Sequence, residues 1–422
     1  MKAHSPQDEI YGPLELPPYC WPIIDTPEFQ RLRYIPQLGT SFYVYPAATH
    51  TRFEHSLGCA HLACTLMNQF RRNQPELNIT DEQIQAVVVA GLCHDLGHGP
   101  WSHCFEYIAN QYDPDWDHED NSINIIRYIV KEYKIGIPEH VIDAACLFIR
   151  GEPYPSYPVW MSQIVANHYT DIDIDKVDYL ARDINRTISI SIFEYDHIIK
   201  NCRITEGYLS WQISDVPAIE RLLYNRNDMH HRVYQHRVNQ SIQLMITDML
   251  EAAEPYLGIG EALNNPKLFC RIDNRIMYLI EQGRCGDRAQ EISLKIRRRQ
   301  LYKCIGQIKI SPDYCGAVSY SQKSTDQIAQ DIASYKNIPE NLIRVVKMKF
   351  RYGLSRSNPL LDIPFYKPGS DKVIKLQQRD TSSLTPAFYS QTELRAFITD
   401  NSLFNAAKES FDQWKIGFIG YI

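Results

Sequence analysis

The hydrophobic and polar positions change character three times along the chain. Over the first fifty residues, prolines at 13, 17, 18, 22, 27 and 36 interrupt any long helix. Tyr43-Val44-Tyr45, just before Pro46, predicts a short extended piece. From Phe53 a helical period sets in. Leu57, Ala60, Cys64 and Met67 recur three or four residues apart, and the run ends near Asn73-Gln74-Pro75. Thr80 stands three residues before Gln83, a capping-box pattern ahead of the apolar run 84–92. That helix runs into His94-Asp95 and is ended by Gly97, Gly99 and Pro100. Helical patterns continue to about residue 305, through 122–133 and 219–253 among others. Beyond Gly306, strand formers take over in Val345-Val346-Lys347-Met348-Lys349-Phe350 and in Val373-Ile374-Lys375-Leu376. Ser357-Asn358-Pro359 and Pro368-Gly369 supply turns, and a last helical stretch is expected around 391–414. The expected fold is mainly α, a large helical core followed by a smaller C-terminal α+β lobe. The expected divisions are an N-terminal segment 1–50, a helical domain 51–306 and a lobe 307–422. There is no internal repeat and no low-complexity tract.

Composition narrows the class. A chain of 422 residues suggests about two to three domains. With 44% hydrophobic and 22% charged residues it is neither disordered nor collagen-like. A net charge of −6 argues against a general DNA-coating surface while leaving room for a local basic pocket. Arg297-Arg298-Arg299 is too short a run to add weight to a nucleic-acid partner or a nuclear signal. No apolar run approaches the roughly 18 residues that span a bilayer. Met1-Lys2-Ala3-His4-Ser5-Pro6 lacks the apolar core of a signal peptide. Eleven cysteines, none spaced C-x-x-C, fit free thiols in a reducing compartment. The expectation is an intracellular protein, cytoplasmic or nuclear, with no membrane partner.

Histidine is dense between residues 50 and 118. The chain reads His50-Thr51-Arg52-Phe53-Glu54-His55, then His94-Asp95-Leu96-Gly97-His98 and His103, then His118-Glu119, and later Asp173-Ile174-Asp175-Lys176-Val177-Asp178-Tyr179. Imidazole with carboxylate suits Fe, Mn, Zn, Ni or Mg. Adjacent His94 and Asp95 cannot both face one ion from mid-helix. At a helix end their directions differ by about 100°, and an ion can sit between them. His55 and Asp175 would then come from two other helices. The bland alternative is a buried histidine satisfied by a carboxylate. Cys59, Cys93 and Cys104, which flank these residues, read as core filler rather than nucleophiles.

The pattern H…HD…D resembles that of the HD-domain superfamily of metal-dependent phosphohydrolases. The fuller strings narrow the resemblance: Phe29-Gln30-Arg31-Leu32-Arg33-Tyr34-Ile35, Arg52-Phe53-Glu54-His55-Ser56-Leu57-Gly58, Gly91-Leu92-Cys93-His94-Asp95-Leu96-Gly97-His98-Gly99-Pro100 and Asp175-Lys176-Val177-Asp178-Tyr179 are similar to those of the sterile-alpha-motif/HD-domain deoxynucleotide triphosphohydrolases. The similarity runs from about Asp8 to the C-terminal lobe, with no stretch left for a sterile-alpha-motif domain. It implies an HD-domain helical core and His55, His94, Asp95 and Asp175 as ligands of a divalent metal. It also implies hydrolysis of a deoxynucleoside triphosphate to deoxynucleoside and intact triphosphate.

A general acid is needed for the leaving 5′ oxygen, and the family's His/acidic/His group is matched by His103, Glu106 and His118. Position 106 is Glu where the family has Asp. Arg52, Lys176 and Arg226 match phosphate contacts, with His98 and Tyr179 beside them. Tyr234, His230 and Gln235 are implied at the sugar, and Gln37, Leu38 and Asp183 at the 3′ hydroxyl, where a 2′ hydroxyl would clash. Mg is expected with the triphosphate, and base selectivity is expected to be low.

The resemblance further implies GTP as activator and assembly from dimer to tetramer. Asp25, Gln30 and Arg33 match the guanine site, although His4-Ser5 stands where the family has Lys-Val. For a second nucleotide site, Arg299, Lys303 and Lys367 match and Arg237 replaces a Lys. His197, Gln212 and Ser214 fall near positions that are basic in the family, so this second site is expected to be weakened. Two alternatives stand beside this reading: another HD phosphohydrolase, such as a cyclic or oligomeric nucleotide phosphodiesterase, and a nucleotide-sensing or nucleic-acid-binding scaffold with a vestigial centre. The cation set favours a triphosphate over a diester, and the complete ligand set counts against a vestigial centre.

Overall fold

The structure is a computed structural model that describes residues 5–189, 195–310, 323–353, 357–382, 386 and 388–419; His4 lies outside them. The chain divides into two compact units. The first comprises Met1–Arg226, Leu257–Ile276 and Asn358–Thr385, the second Asn227–Tyr256, Met277–Ser357 and Pro386–Ile422.

The first unit begins with a small antiparallel hairpin, β1 (Gln7–Asp8) and β2 (Gly12–Pro13). Short helical turns follow, as the prolines require. Ser41–Tyr43 is one of them, not the extended piece expected: Val44 and Tyr45 both donate to Ser41 O, and the proline constrains only the residue before it. Six longer helices then build the core: α1 (Arg52–Asn73), α2 (Asp81–Cys93), α3 (His103–Tyr112), α4 (His118–Glu132), α5 (Glu139–Ile149) and α6 (Ile174–Arg186). The capping box at Thr80 forms in both directions, Gln83 N donating to Thr80 Oγ1 at 3.2 Å and Thr80 N to Gln83 Oε1 at 2.9 Å. After its first turn α2 is apolar almost all round, so it is buried, packed between α1 and α5. His94 caps its C-terminal end. The His-Asp pair therefore leaves the most enclosed helix of the unit at the point where backbone direction changes.

The long helical region expected to residue 305 is interrupted by a hairpin, β3 (Arg203–Thr205) and β4 (Tyr208–Gln212). Its two-residue loop, Glu206-Gly207, has φ of +51° and +82°, the mirror-image turn whose twist matches paired strands. Phe365–Tyr366 pairs in parallel with β4. Of the expected strand at 373–376, only Ile374 pairs, in a single bridge to Phe365. A last helix, α7 (Val216–Met229), carries the chain out of this unit.

The second unit holds α8 (Arg237–Leu257), α9 (Asp287–Arg297), β5 (Lys303–Ile310), α10 (Thr325–Ser334), β6 (Ile343–Arg351), β7 (Ser390–Ile398) and α11 (Phe404–Ile419). β7 is the central strand of an antiparallel sheet, between β5 and β6. The helical stretch expected at 391–414 is thus half wrong. Glu393, Leu394, Arg395 and Ala396 have helical leanings, but pairing on both edges overrides them. α10 and α11 cover the sheet through Ile328, Ile332, Phe411 and Trp414 against Ile305, Ile308 and Leu394. Among the described residues no helix is long and apolar enough to cross a membrane.

Ile332 is fully buried in this core. Ile332→Ala should lower stability by about 2–5 kcal/mol, read as a lower urea midpoint; an unshifted midpoint would contradict the packing described.

Candidate active site

His55, on the first turn of α1, and His94 bring their Nε2 atoms to 3.2 Å of each other. Asp175 Oδ1, on the first turn of α6, lies 3.0 Å from His55 Nε2 and 3.4 Å from His94 Nε2. Asp95 closes the group, with Oδ2 at 3.5 Å from His55 Nε2 and Oδ1 at 3.7 Å from His94 Nε2. Both imidazoles are oriented from behind. His55 Nδ1 bonds Asp178 Oδ2 at 2.7 Å, and His94 Nδ1 bonds the Gly91 carbonyl at 2.9 Å. The acceptor in each pair places a proton on Nδ1 and so turns both Nε2 atoms toward the carboxylates. Donors held at about 2.1 Å from one ion are ~3.0 Å apart at right angles and ~3.4 Å apart at the tetrahedral angle. The separations among His55, His94 and Asp175 match those edges and fit a divalent ion, while Asp95 stands slightly further out and through two different oxygens. Cys59 Sγ sits 3.7 Å and 3.8 Å from the two nitrogens of the His55 ring, beside it, with its thiol pushed up by burial.

The carboxylate behind His55 belongs to a buried chain of charge. Arg182 grips Asp178 through Nε at 2.7 Å and Nη2 at 3.1 Å, and reaches Asp8 Oδ2 with Nη1 at 2.7 Å. Asp8 in turn accepts the Ile10 and Tyr11 amides, so β1 ends on this network. α1 passes close enough that a Cβ on Gly58 would lie 1.9 Å from Asp178 Oδ1; only glycine fits there.

A second cluster flanks the first. His118 Nδ1 is 3.0 Å from Glu106 Oε1, and His103 Nδ1 is 3.0 Å from Glu106 Oε2. The His98 and His118 rings stack at 3.9 Å, and His98 Nε2 is 3.3 Å from Asp95 Oδ1. Glu106 thus reaches both histidines despite being one methylene longer than the family's Asp. Burial opposes charge on His118, but Glu106 outweighs it and holds the imidazole above its ordinary value near 6.5. His98 goes the other way, well below 6.5, because burial, Arg52 and His118 all oppose its charge. His98, Glu106 and His118 together form another donor set that a cation can occupy, whether a proton or an ion. His103 is largely exposed, at the N-terminus of α3.

The expected phosphate contacts are already engaged. Arg52 Nη1 pairs with Asp95 Oδ2 at 2.5 Å and bonds Ser102 Oγ through Nε and Nη2 at 3.2 and 2.8 Å. Burial resists ionisation of Asp95, yet Arg52, His94 and His98 hold it well below the usual carboxylate range. Lys176 Nζ meets Asp173 at 2.7 Å and Asp171 at 3.3 Å, and Arg226 pairs with Asp171. Tyr179 lies one turn after Asp175, its phenol pushed up to about 12 by burial, which Arg226 and Lys176 partly offset. Asp183, a further turn along α6, bonds His50 Nε2 at 2.7 Å, and Gln37 N donates to His50 O at 3.0 Å. Gln37 Oε1 is buried without a hydrogen-bond partner, and Leu38 follows it in the same turn.

Of the expected regulatory residues, Asp25 ends the helical turn Trp21–Ile24. Gln30 Nε2 bonds Ile24 O, and Arg33 Nε bonds Gln30 Oε1 at 2.8 Å with its guanidinium over Phe53. Arg237, Arg299 and Lys303 line one cavity of about 220 Å³ in the second unit, whereas Lys367 belongs to the first. His230, Tyr234 and Gln235 lie in the second unit on and just after a single π-turn, His230–Tyr234.

Sequence reasoning assigned no role to Asp178, Arg182, Asp8, Asp171 or Arg31. Asp178 and Arg182 are spaced i,i+4 on the helix that carries Asp175, a legible signal. Arg31 is buried and hydrogen-bonds carbonyls rather than a carboxylate, Ile272 O, Leu96 O and His98 O at 2.9, 3.3 and 2.7 Å; it pins the loop after His94-Asp95, which no local pattern foretells.

The sequence matches the HD domain over residues 52–183 and the HD associated region over residues 193–348. It is 33% identical over 399 residues to the deoxynucleoside triphosphate triphosphohydrolase SAMHD1 homolog of Dictyostelium discoideum, across 92% of this chain and 76% of that protein. Deoxynucleoside triphosphate triphosphohydrolase SAMHD1 of Gallus gallus is 33% identical across 97% of this chain and 74% of its own. The Homo sapiens protein of the same name is 31% identical across 96% and 72%.

Replacing Asp178 by Asn should weaken retention of a divalent ion by about 10–100-fold, measured by titrating the metal-free protein. Affinity equal to that of the unaltered protein would show that the bond behind His55 does not govern the centre.

Proposed function

This chain belongs to the SAMHD1-type family of HD-domain deoxynucleoside triphosphate triphosphohydrolases, and from that premise we propose that it hydrolyses deoxynucleoside triphosphates to deoxynucleoside and inorganic triphosphate. The observation that carries the reading is the convergence of His55, His94, Asp95 and Asp175 at close spacing, with buried Arg52 and half-buried Lys176 and Arg226 in the same unit.

His55, His94, Asp95 and Asp175 would hold a divalent ion, one of Fe, Mn, Zn, Ni or Mg. A divalent ion bound there supplies Lewis-acid activation of water and of a phosphate oxygen. Arg52, Lys176 and Arg226 take the triphosphate, which carries its own Mg, and His98 and Tyr179 line its path. Water attacks the α-phosphorus and the bond to the 5′ oxygen breaks. That oxygen needs a proton, which the Glu106-coupled imidazoles of His118 and His103 deliver. His98, held below its ordinary value, and His118, held above it, are the neighbouring pair whose environments push their pKa values apart. Gln37, Leu38 and Asp183 read the 3′ hydroxyl and exclude a 2′ hydroxyl, while His230, Tyr234 and Gln235 pack on the sugar.

GTP activates through Asp25, Gln30 and Arg33, and the active form is a homo-oligomer, dimer to tetramer. The second nucleotide site, at Arg237, Arg299, Lys303 and Lys367, is weakened by the loss of basic residues at His197, Gln212 and Ser214. Residues 1–50 serve regulation, 51–306 the chemistry, and 307–422 form the lobe.

Incubation of the metal-loaded protein with each dNTP, with and without GTP, should yield deoxynucleoside and triphosphate. His94→Ala and Asp95→Ala should abolish both products, and GTP should raise the rate. Monophosphate and pyrophosphate as products would overturn the reading.

The pH profile supplies a second test. The acid form of His118 is fully present below its ordinary value and is lost as pH rises through the raised one, so kcat should fall on the alkaline side. Glu106→Gln removes the carboxylate that raises it, and the alkaline limb should move to lower pH. A limb that stays in place would exclude His118 as the titrating group.

A further inference from the structure

Two acids stand beside the cations assigned to the triphosphate, and their settings differ. Asp173 has structural work to do. Its Oδ1 accepts the Lys176 amide and caps α6, and its Oδ2 accepts the Asn167 amide and closes the preceding loop. Asp171 sits at φ +62°, a left-handed position that glycine or asparagine fills more readily. Its carboxylate faces side-chain cations, Oδ1 toward Lys176 Nζ at 3.3 Å and Oδ2 onto Arg226 Nη1. All three side chains are largely buried, with relative exposures of 9% for Asp171, 15% for Lys176 and 18% for Arg226. Arg226 Nε, buried on the same guanidinium, has no hydrogen-bond partner, so the group retains a donor for a further acceptor.

We propose that Asp171 is a built-in counter-ion that occupies the phosphate-facing side of Lys176 and Arg226 in the free enzyme, competes with the substrate's triphosphate, and so sets KM. This rests on the reading of Lys176 and Arg226 as triphosphate contacts. Two carboxylates already balance these two cations. An incoming polyphosphate must therefore share donors with Asp171 or displace it, at short range from a like charge in a partly desolvated site. Asp171 touches no reacting atom; it acts through the two cations it holds.

The test is binding of inorganic triphosphate to the metal-loaded protein by calorimetry, with KM and kcat for a dNTP measured alongside. Asp171→Asn keeps the size and the left-handed backbone but removes the charge; Asp171→Gly relaxes the backbone as well. Both should tighten triphosphate binding several-fold, up to about tenfold, with the gain in KM rather than in kcat. Damage to the fold would not produce tighter binding. Unchanged or weaker binding in Asp171→Asn would overturn the proposal, because the carboxylate would then be arranging the cations for substrate instead of competing with it. Lys176→Ala and Arg226→Ala separate the two claims. If they bind triphosphate as the unaltered protein does, the reading of the phosphate site fails; if they bind it weakly while Asp171→Asn is unchanged, only the counter-ion fails.

Discussion

The carboxylate of Asp178, buried between His55 and Arg182, is the contact on which the first unit depends. It fixes the proton of His55 on Nδ1 and so aims Nε2 at the other donors. A carboxylate so enclosed needs a cation, which Arg182 supplies, and Arg182 needs a second acid, which Asp8 brings on the terminal hairpin. Removing one partner from such a chain leaves an uncompensated buried charge, a loss of roughly 3–5 kcal/mol. That is a large share of the roughly 5–15 kcal/mol that holds a domain folded. The close approach of α1 and α6 at Gly58 exists to make this contact possible. One side chain thus ties the orientation of His55 to the packing of α1 against α6.

A related constraint, that each buried acid is met by a cation or an imidazole, organises the rest of the site. Asp95 is shared between Arg52 and the histidines, Asp175 lies against His55 and His94, and Glu106 lies against His103 and His118. Each acid has a cation or an imidazole within reach. The arrangement also divides labour between neighbouring imidazoles. His98, facing Arg52 and His118, is held neutral, and His118, facing Glu106, keeps its proton to higher pH.

Much of this was legible in the sequence because it is local. The Thr80–Gln83 box marks where α2 begins, Gly97 and Gly99 mark where it cannot continue, and between them the His-Asp pair must fall at a helix end. The i,i+4 and i,i+8 spacing of Asp175, Tyr179 and Asp183 places them on one face of α6. What stayed hidden depends on long-range pairing. Residues 390–398 have the composition of a helix and become the middle strand of a sheet because β5 and β6 flank them. Asp8 and Asp178 are separated by most of the first unit, so no window of sequence joins them. Arg31 bonds only carbonyls, and carbonyls leave no trace in a residue string. Asp171 carries no signal of its own in Asp171-Ile172-Asp173; only its neighbours reveal that it is buried against Lys176 and Arg226.

The central claim is that this constellation directs water to the α-phosphorus of a deoxynucleoside triphosphate. The most direct test is a single turnover in water enriched in heavy oxygen, followed by mass spectrometry of both products. The account predicts one heavy oxygen in the triphosphate and none in the deoxynucleoside, because the bond that breaks joins the α-phosphorus to the 5′ oxygen. Label in the deoxynucleoside, or in a monophosphate released with pyrophosphate, would contradict it.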